Sequence, residues 1–381
     1  MKKNKNFFYL FILLLFIIFL YSQEQCYRYF GDIFGISRLP IETYGFFIAM
    51  AFLFGALFLQ EELRRLGDAK KIQPIKRKQK NKLISNVFNL FLIPFFIGYQ
   101  LPHIIQKYSE FLNNKSILFE LNRENSGDLS LSLILGIIFM ILAFYLNKKN
   151  KTITKEFIKP HELIGTLLGV TLISGILGAK LFYLFETEMS WKNLFSFGGL
   201  TFYGGLICGT LGVIFYAKKN QISIPHIADA FAPILMLSYA IGRVGCQVSG
   251  DGCWGIPNTK EAPSLIPDFL WSSQYVNGSS SGTNMLDANI FVWPTPIYET
   301  IMCLIIFGIL WSIRRKIKIG GLLFSIYLVL NGMERFFIEF IRVNEKLIFN
   351  LTQGQVIAIT LFLIGTILSL YLLTKKKNAI I

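Results

Sequence analysis

The sequence predicts an all-α integral membrane protein, a polytopic helical bundle of about ten transmembrane helices. Three observations carry this. Apolar residues make up 53% of the 381-residue chain and charged residues 16%, well under the about 25% charged of a soluble domain. The 37 phenylalanines fall mostly in long apolar runs, and mean hydropathy is +0.51. The basic residues, which set a formal net charge of +15, sit in short clusters between those runs. This composition excludes a soluble enzyme, a disordered protein and a disulfide scaffold. The placement of the basic clusters excludes nucleic acid as the partner.

About 20 helical residues cross the hydrocarbon core of a bilayer. Apolar stretches of that order lie at 7–21, 43–59, 86–105, 129–147, 162–185, 199–217, 228–246, 296–312, 320–341 and 355–374. With these ten spans, the basic segments all fall on one side: Lys2-Lys3-Asn4-Lys5, Arg64 to Lys82, Lys148 to Lys151, Lys218-Lys219, Arg314 to Lys316 and Lys375 to Lys377. That side is the cytoplasm by the positive-inside rule, and both termini are expected there. One miscounted span would scatter the basic loops over both faces. Residues 1–42 read as a signal-like span, favoured as an uncleaved anchor because Tyr21 to Cys26 lacks small residues, with an outer loop after it. A span follows at 43–59. Residues 60–160 read as a basic loop, attracted to anionic head groups, and two spans. Residues 161–374 hold the other six spans, with a long outer segment at 247–295, and 375–381 read as a basic tail.

The five cysteines show no CxxC pair and the three histidines are dispersed, so no metal site is expected. Cys208 and Cys303 read as small buried hydrophobes, and His161 and His226 as satisfied interfacial side chains. Cys246 and Cys253 lie close enough in sequence for a disulfide without requiring one.

Polar residues inside or at the rim of spans are costly and face a protein interior. On this topology they gather at one leaflet, the outer one: Tyr44-Gly45, Lys180 to Tyr183, Tyr203-Gly204-Gly205, Gly242 to Gly245 around Arg243, Tyr298-Glu299, and Arg335, Glu339 and Arg342. Arg335, Glu339 and Arg342 stand at i, i+4 and i+7, which reads as one helical stripe. Such a stripe can be a structural ion pair. With Arg243 at the same depth there is more cation than Glu339 and Asp251 neutralise, and an anionic ligand would complete the balance. A guanidinium suits phosphate because it donates two parallel hydrogen bonds. Phospholipid head groups are the abundant phosphates at that depth. Gly205 and Gly209 form a GxxxG packing pair, while Ser249 to Gly255 reads as a turn, either a pocket wall or a plain surface loop.

These residues resemble a known family. Gly242-Arg243-Val244-Gly245-Cys246, Gly250-Asp251 and Gly255, preceded by Asp229 and Pro233, resemble the signature of bacterial prolipoprotein diacylglyceryl transferases. Phe202 to Ile207, Pro294-Thr295 with Tyr298-Glu299, Arg335 with Glu339 and Arg342, and Gly354-Gln355 look like further landmarks in the family's order. The likeness covers about 160–374 and the span holding Tyr44.

The resemblance implies a seven-helix core (43–59 and the six spans after 160) with three additional spans. It implies transfer of the diacylglyceryl group of phosphatidylglycerol to the lipobox cysteine thiol of a prolipoprotein, with glycerol phosphate leaving and no cofactor. Arg243 and Arg335 would be the essential arginines, with Tyr203 beside them in the catalytic set. Tyr44, Lys180, Tyr183, Gly204, Gly205, Asp251, Gly255, Tyr298, Glu299, Glu339 and Arg342 would bind the substrates. Several positions depart from the pattern. Tyr203 and Trp293 stand where many members carry His, Asp251 replaces Glu, Lys180 replaces Arg, and one extra residue precedes Gly255. No motif histidine is left as a base. The arginines can still stabilise a departing phosphate without proton transfer, and nearby cations favour a thiolate. Two other readings compete: a carrier with an outward-facing anionic lipid site, and a family member of altered activity. Carriers break helices near the midplane, often in paired repeats, whereas here the Gly-rich segment lies at the rim and no repeat is visible.

Overall fold

The computed structural model describes residues 43–78, 138, 155–186, 201–249, 254–275, 290–344, 346 and 350–378. The chain divides into two compact units, and all of these but Lys78 and Ile138 belong to the unit formed by Thr43–Arg77 and Lys155–Ile381. The spans expected at 7–21, 86–105 and 129–147 lie outside the described residues, apart from Ile138.

Each of the other seven expected spans is a helix: α1 Thr43–Asp68, α2 Ile164–Glu186, α3 Phe202–Lys219, α4 Ile224–Ser249, α6 Thr295–Ile313, α7 Leu322–Ile338 and α8 Gln353–Asn378. A short α5, Asp268–Trp271, lies between α4 and α6. Strands β1, Ile75–Lys78, and β2, Lys155–Ile158, pair with each other. Among the described residues, four helical stretches are long and apolar enough to cross a membrane: Pro160–Phe185, Ile224–Val248, Thr295–Ile313 and Gln353–Lys376. Exposed apolar side chains such as Phe215, Ile305 and Ile367 cover the outside of the bundle, as expected where the solvent is lipid.

Helix α4 is central. It packs along α1 on one side and α6 on the other, α7 touches both α4 and α6, and α8 lies along α7. Ala232, Met236 and Ala240 of α4 meet Cys303, Ile306 and Leu310 of α6 and Leu323 of α7 in the core. Helices α2 and α3 form a close pair of their own. Gly204 makes that pair possible, because a Cβ there would stand 2.6 Å from the Cβ of Phe182.

One end of the bundle is tied by buried polar groups that sequence reading assigned to a loop. Residues 60–68 continue α1 as helix, so Arg64 and Arg65 are helical rather than part of a basic loop. Glu62 is fully buried and pairs with Arg65 and, at 3.1 Å, with Nε of Arg314 at the end of α6. Arg314 lies over the Trp311 ring at 3.3 Å and donates to the Trp311 carbonyl. The bland head-group role expected for this stretch thus gives way to a buried clamp between α1 and α6. Lys71, beyond the helix, has its pKa lowered by burial and then by Arg65. Nearby, the Asp229 carboxylate of α4 accepts the amides of Gly321 and Phe324 at 2.8 and 2.9 Å. It caps α7 from a neighbouring helix, and Gly321 enters that cap at φ +89°. His226 meets Ser223 Oγ at 2.8 Å.

Candidate active site

The opposite end of the bundle holds a second polar layer. Three facts of sequence build it. Helix α4 runs through Pro233 to Ser249, which carries Arg243 to its last turns. Pro294 and Pro296 start α6 there, because proline suits the first turn of a helix. Helix α7 ends at Ile338 and the chain continues as a 3-10 turn over Glu339–Ile341.

Arg342 is therefore not on a helical stripe with Arg335, as the i, i+7 spacing suggested. It lies past the turn in extended backbone. It reaches the same place by another route: Gly255 bridges antiparallel to Arg342 and holds that strand against the bundle. A Cβ on Gly255 would come within 2.6 Å of the Ile341 carbonyl and 2.8 Å of Trp293. Gly255 thus shapes the backbone behind Arg342.

Glu299, fully buried on the first turns of α6, is the hub. Its Oε2 lies 3.0 Å from Arg243 Nε, and its Oε1 lies 3.0 Å from Arg335 Nη1 and 3.2 Å from Arg342 Nη1. Tyr239, one turn before Arg243, donates its hydroxyl to Oε1 at 3.1 Å. The Arg243 guanidinium lies 5.1 Å from the Tyr239 ring centroid and donates to its oxygen at 3.4 Å. Arg335 also reaches Glu339 Oε2 at 3.0 Å. Asn344 donates to Glu339, and Gly354 at the start of α8 leaves room for that carboxylate, since a Cβ there would stand 2.7 Å from it. Thr352 and Gln355 close the same helix start with reciprocal bonds of 3.1 Å.

Of the residues expected at the site, Arg243, Glu299, Arg335, Glu339 and Arg342 are thus joined in one network. Tyr44, on the first turn of α1, packs beside Gly245 two residues from Arg243. Tyr203, Gly204, Gly205, Lys180 and Tyr183 lie on the α2–α3 pair rather than on the helices that carry the hub. The Lys180 ammonium stands 5.7 Å from the Tyr183 ring. The Tyr298 hydroxyl is engaged by the outer segment, donating to the Leu270 carbonyl at 2.6 Å. That segment is a folded structure rather than a plain loop over 254–275. Pro257 and Ser273 both bridge to Val292, Asn258 donates to the Trp271 carbonyl, and Trp271 stacks edge-on against Trp293. Asp251 lies outside the described residues.

Sequence reading missed two members. Tyr239 was signalled by its i−4 spacing from Arg243. Glu334, next to Arg335, is 4% exposed, and neither of its carboxyl oxygens has a hydrogen-bond partner among the described residues. Sequence reading also expected a surplus of cation. Three guanidinium groups here pair with two carboxylates, Glu299 and Glu339; each guanidinium has five N–H groups, and Arg342 Nε is buried without an acceptor among the described residues. Among the described residues, no group of three or more His, Cys, Asp or Glu side chains is placed to hold a metal ion.

A family model described as prolipoprotein diacylglyceryl transferase matches residues 128–371. The chain belongs to that family. The phosphatidylglycerol–prolipoprotein diacylglyceryl transferase of Leptospira interrogans (strain Fiocruz L1-130) is 32% identical over 265 residues, covering 61% of this chain and 77% of that protein. The protein of the same name from Clostridium botulinum (strain Hall) is 31% identical over 245 residues, covering 63% and 89%. Within the prolipoprotein diacylglyceryl transferase match lie α2 to α7 and most of α8, with every arginine of the hub. The match also takes in 129–147, counted above among the additional spans, and begins after Tyr44.

Proposed function

We propose that the enzyme transfers the diacylglyceryl group of phosphatidylglycerol to the lipobox cysteine thiol of prolipoproteins at the outer leaflet of the bacterial inner membrane. One observation carries the reading: Arg243, Arg335 and Arg342, from three separate segments, converge on the Glu299 carboxylate. A carboxylate that three guanidinium groups enclose marks a place where those groups can also donate to a phosphate. Arg243 and Arg335 bind the lipid phosphate, and their remaining N–H donors stabilise the charge that grows on its oxygen as the carbon–oxygen bond breaks. Glu299 and Glu339 hold the forks in that orientation before the lipid arrives, so no reorganisation is needed at the transition state.

The leaving group, glycerol phosphate, is an anion that arginines stabilise directly. The reaction therefore asks of the protein a phosphate clamp, access for the thiol and an acceptor for its proton. Tyr203 and Tyr44 serve as hydrogen-bond donors to lipid oxygens at the mouth of the clamp, and Asp251 orients the arginines from the outer segment. Two features support this orientation: the positive-inside rule favours the end with the basic loops as cytoplasmic, and the arginine hub lies at the opposite end of α6 from Arg314.

Complementation tests the reading. In cells depleted of their own transferase, this chain restores lipidation of prolipoproteins, while R243A and R335A insert into the membrane and fail to do so. Absence of rescue by the wild-type chain would count against the activity, and full rescue by both variants would remove the phosphate clamp.

A further inference from the structure

Glu334 is the one carboxyl at this end of the bundle with neither oxygen hydrogen-bonded among the described residues, although it is 96% buried by its 4% exposure. A buried polar group left without partners is rare and calls for an explanation. Its surroundings supply one. Glu299, Arg335, Arg243 and Arg342 lie within electrostatic reach, as do Tyr239 of α4, Cys303 of α6 and Tyr327 of α7. Cys303 is about one turn inward from Glu299, and Tyr327 about two turns inward from Arg335. On α7, which ends at Ile338, Glu334 stands one residue inward of Arg335 and so on the bilayer side of the arginine that joins the hub.

On the transferase reading, that side is where the thiol arrives. With the lipid phosphate held by the arginines, the glyceryl carbon it is bonded to points toward the acyl chains. Displacement at that carbon requires sulfur opposite the departing oxygen, so the thiol arrives from the bilayer side. None of the hub residues is a histidine, and Tyr203 lies on α3, which carries no residue of the hub.

We propose that Glu334 is the catalytic base that takes the proton of the lipobox thiol; this rests on the transferase reading above. The sulfur–hydrogen bond breaks as its proton passes to a Glu334 oxygen. The sulfur electron pair forms the thioether bond to the glyceryl carbon, and the carbon–oxygen pair leaves on glycerol phosphate. The departing phosphate then removes the proton from Glu334. Atoms and charge balance without any further reactant.

The full chain in phosphatidylglycerol nanodiscs is assayed with two lipobox peptides that differ only in cysteine or selenocysteine. A selenol is ionised at neutral pH and needs no base. E334Q keeps the shape of the side chain; it is expected to lose at least about 100-fold in transfer to the cysteine peptide, the low end for a removed acid–base group, and within about tenfold with the selenocysteine peptide. Retained activity on the cysteine peptide, or equal losses on both peptides, would overturn the assignment, the latter because it marks a structural role. If E334Q fails to fold, E334A with added formate replaces it: a rate that rises with formate supports the assignment, and no rescue overturns it. Wild-type chain inactive on both peptides would instead sink the transferase reading, and the base with it.

Discussion

Arg335 and Arg342 are seven residues apart on one chain, yet both place Nη1 within 3.2 Å of the same Glu299 oxygen, one from the last turn of α7 and the other from the extended strand beyond it. A straight helix would carry both on one stripe. Here the 3-10 turn at Glu339–Ile341 ends the helix, and the bridge from Gly255 to Arg342 returns the second guanidinium to the hub. The consequence is a carboxylate held from α4, from α7 and from the strand after it. Such an arrangement keeps three cations at one point without their repelling the bundle apart.

Removing the charge of Glu299 tests that balance. E299Q preserves volume but removes the buried counter-ion that three half-buried guanidinium groups share. Breaking a buried ion pair from one side costs about 3–5 kcal/mol. Thermal unfolding in detergent is expected to drop by an amount of that order, together with loss of transfer. Unchanged melting would show that the arginines are paired elsewhere.

Lysine cannot replace the forked geometry of these arginines. R335K keeps the charge but loses the planar fork that reaches Glu299 with one arm and Glu339 with the other. Transfer is expected to fall by at least about tenfold, with the larger change in KM for phosphatidylglycerol. Equal effects of R335K and a surface control such as K260A would refute the bidentate role.

Gly354 offers a gentler probe. A Cβ there meets the Glu339 carboxylate at 2.7 Å, so G354A pushes Glu339 off its seat without touching any charge. Overpacking of this kind costs about 1–3 kcal/mol. Activity is expected to fall while α8 stays helical, which circular dichroism and the transfer assay distinguish.

At the far end, R314A opens the clamp with Glu62. Among the described residues the buried Glu62 carboxylate then keeps Arg65 alone, and stability is expected to fall by about 3 kcal/mol. The kcat of the remaining folded enzyme should stay near that of the wild type, because no hub residue is disturbed. A selective loss of kcat at full stability would contradict the separation of the two polar layers.

Tyr298 ties the outer segment to α6 through one hydrogen bond of 2.6 Å to Leu270. Y298F removes that bond and is expected to cost about 1 kcal/mol. Limited proteolysis of segment 254–275 should quicken in the variant. If Tyr298 instead acted on lipid alone, cleavage would be unchanged.

Much of the bundle was legible in the chain because lipid imposes a simple code. A backbone without water to bond must be helical, so apolar runs such as 296–312 and 228–246 announce α6 and α4 to within a few residues. Basic clusters predict a sidedness, and the arginines at span ends point to the polar rim. What the code does not contain is where a helix continues past its apolar run. Residues 60–68 look like a loop by charge and are helix by contact, because Glu62 and Arg314 neutralise one another in the interior.

Sequence alone determined the helical membrane class, the chain's family resemblance, and which arginines gather at the rim, since each follows from local composition and spacing. Only the tertiary structure decided that Glu299 is the shared counter-ion, that Arg342 arrives from a strand, that Tyr298 serves the outer segment, and that Glu334 lies buried with its oxygens unspent. Those outcomes depend on which side chains from α4, α6 and α7 approach within about 3 Å of one another, and no spacing along the chain encodes distances between helices.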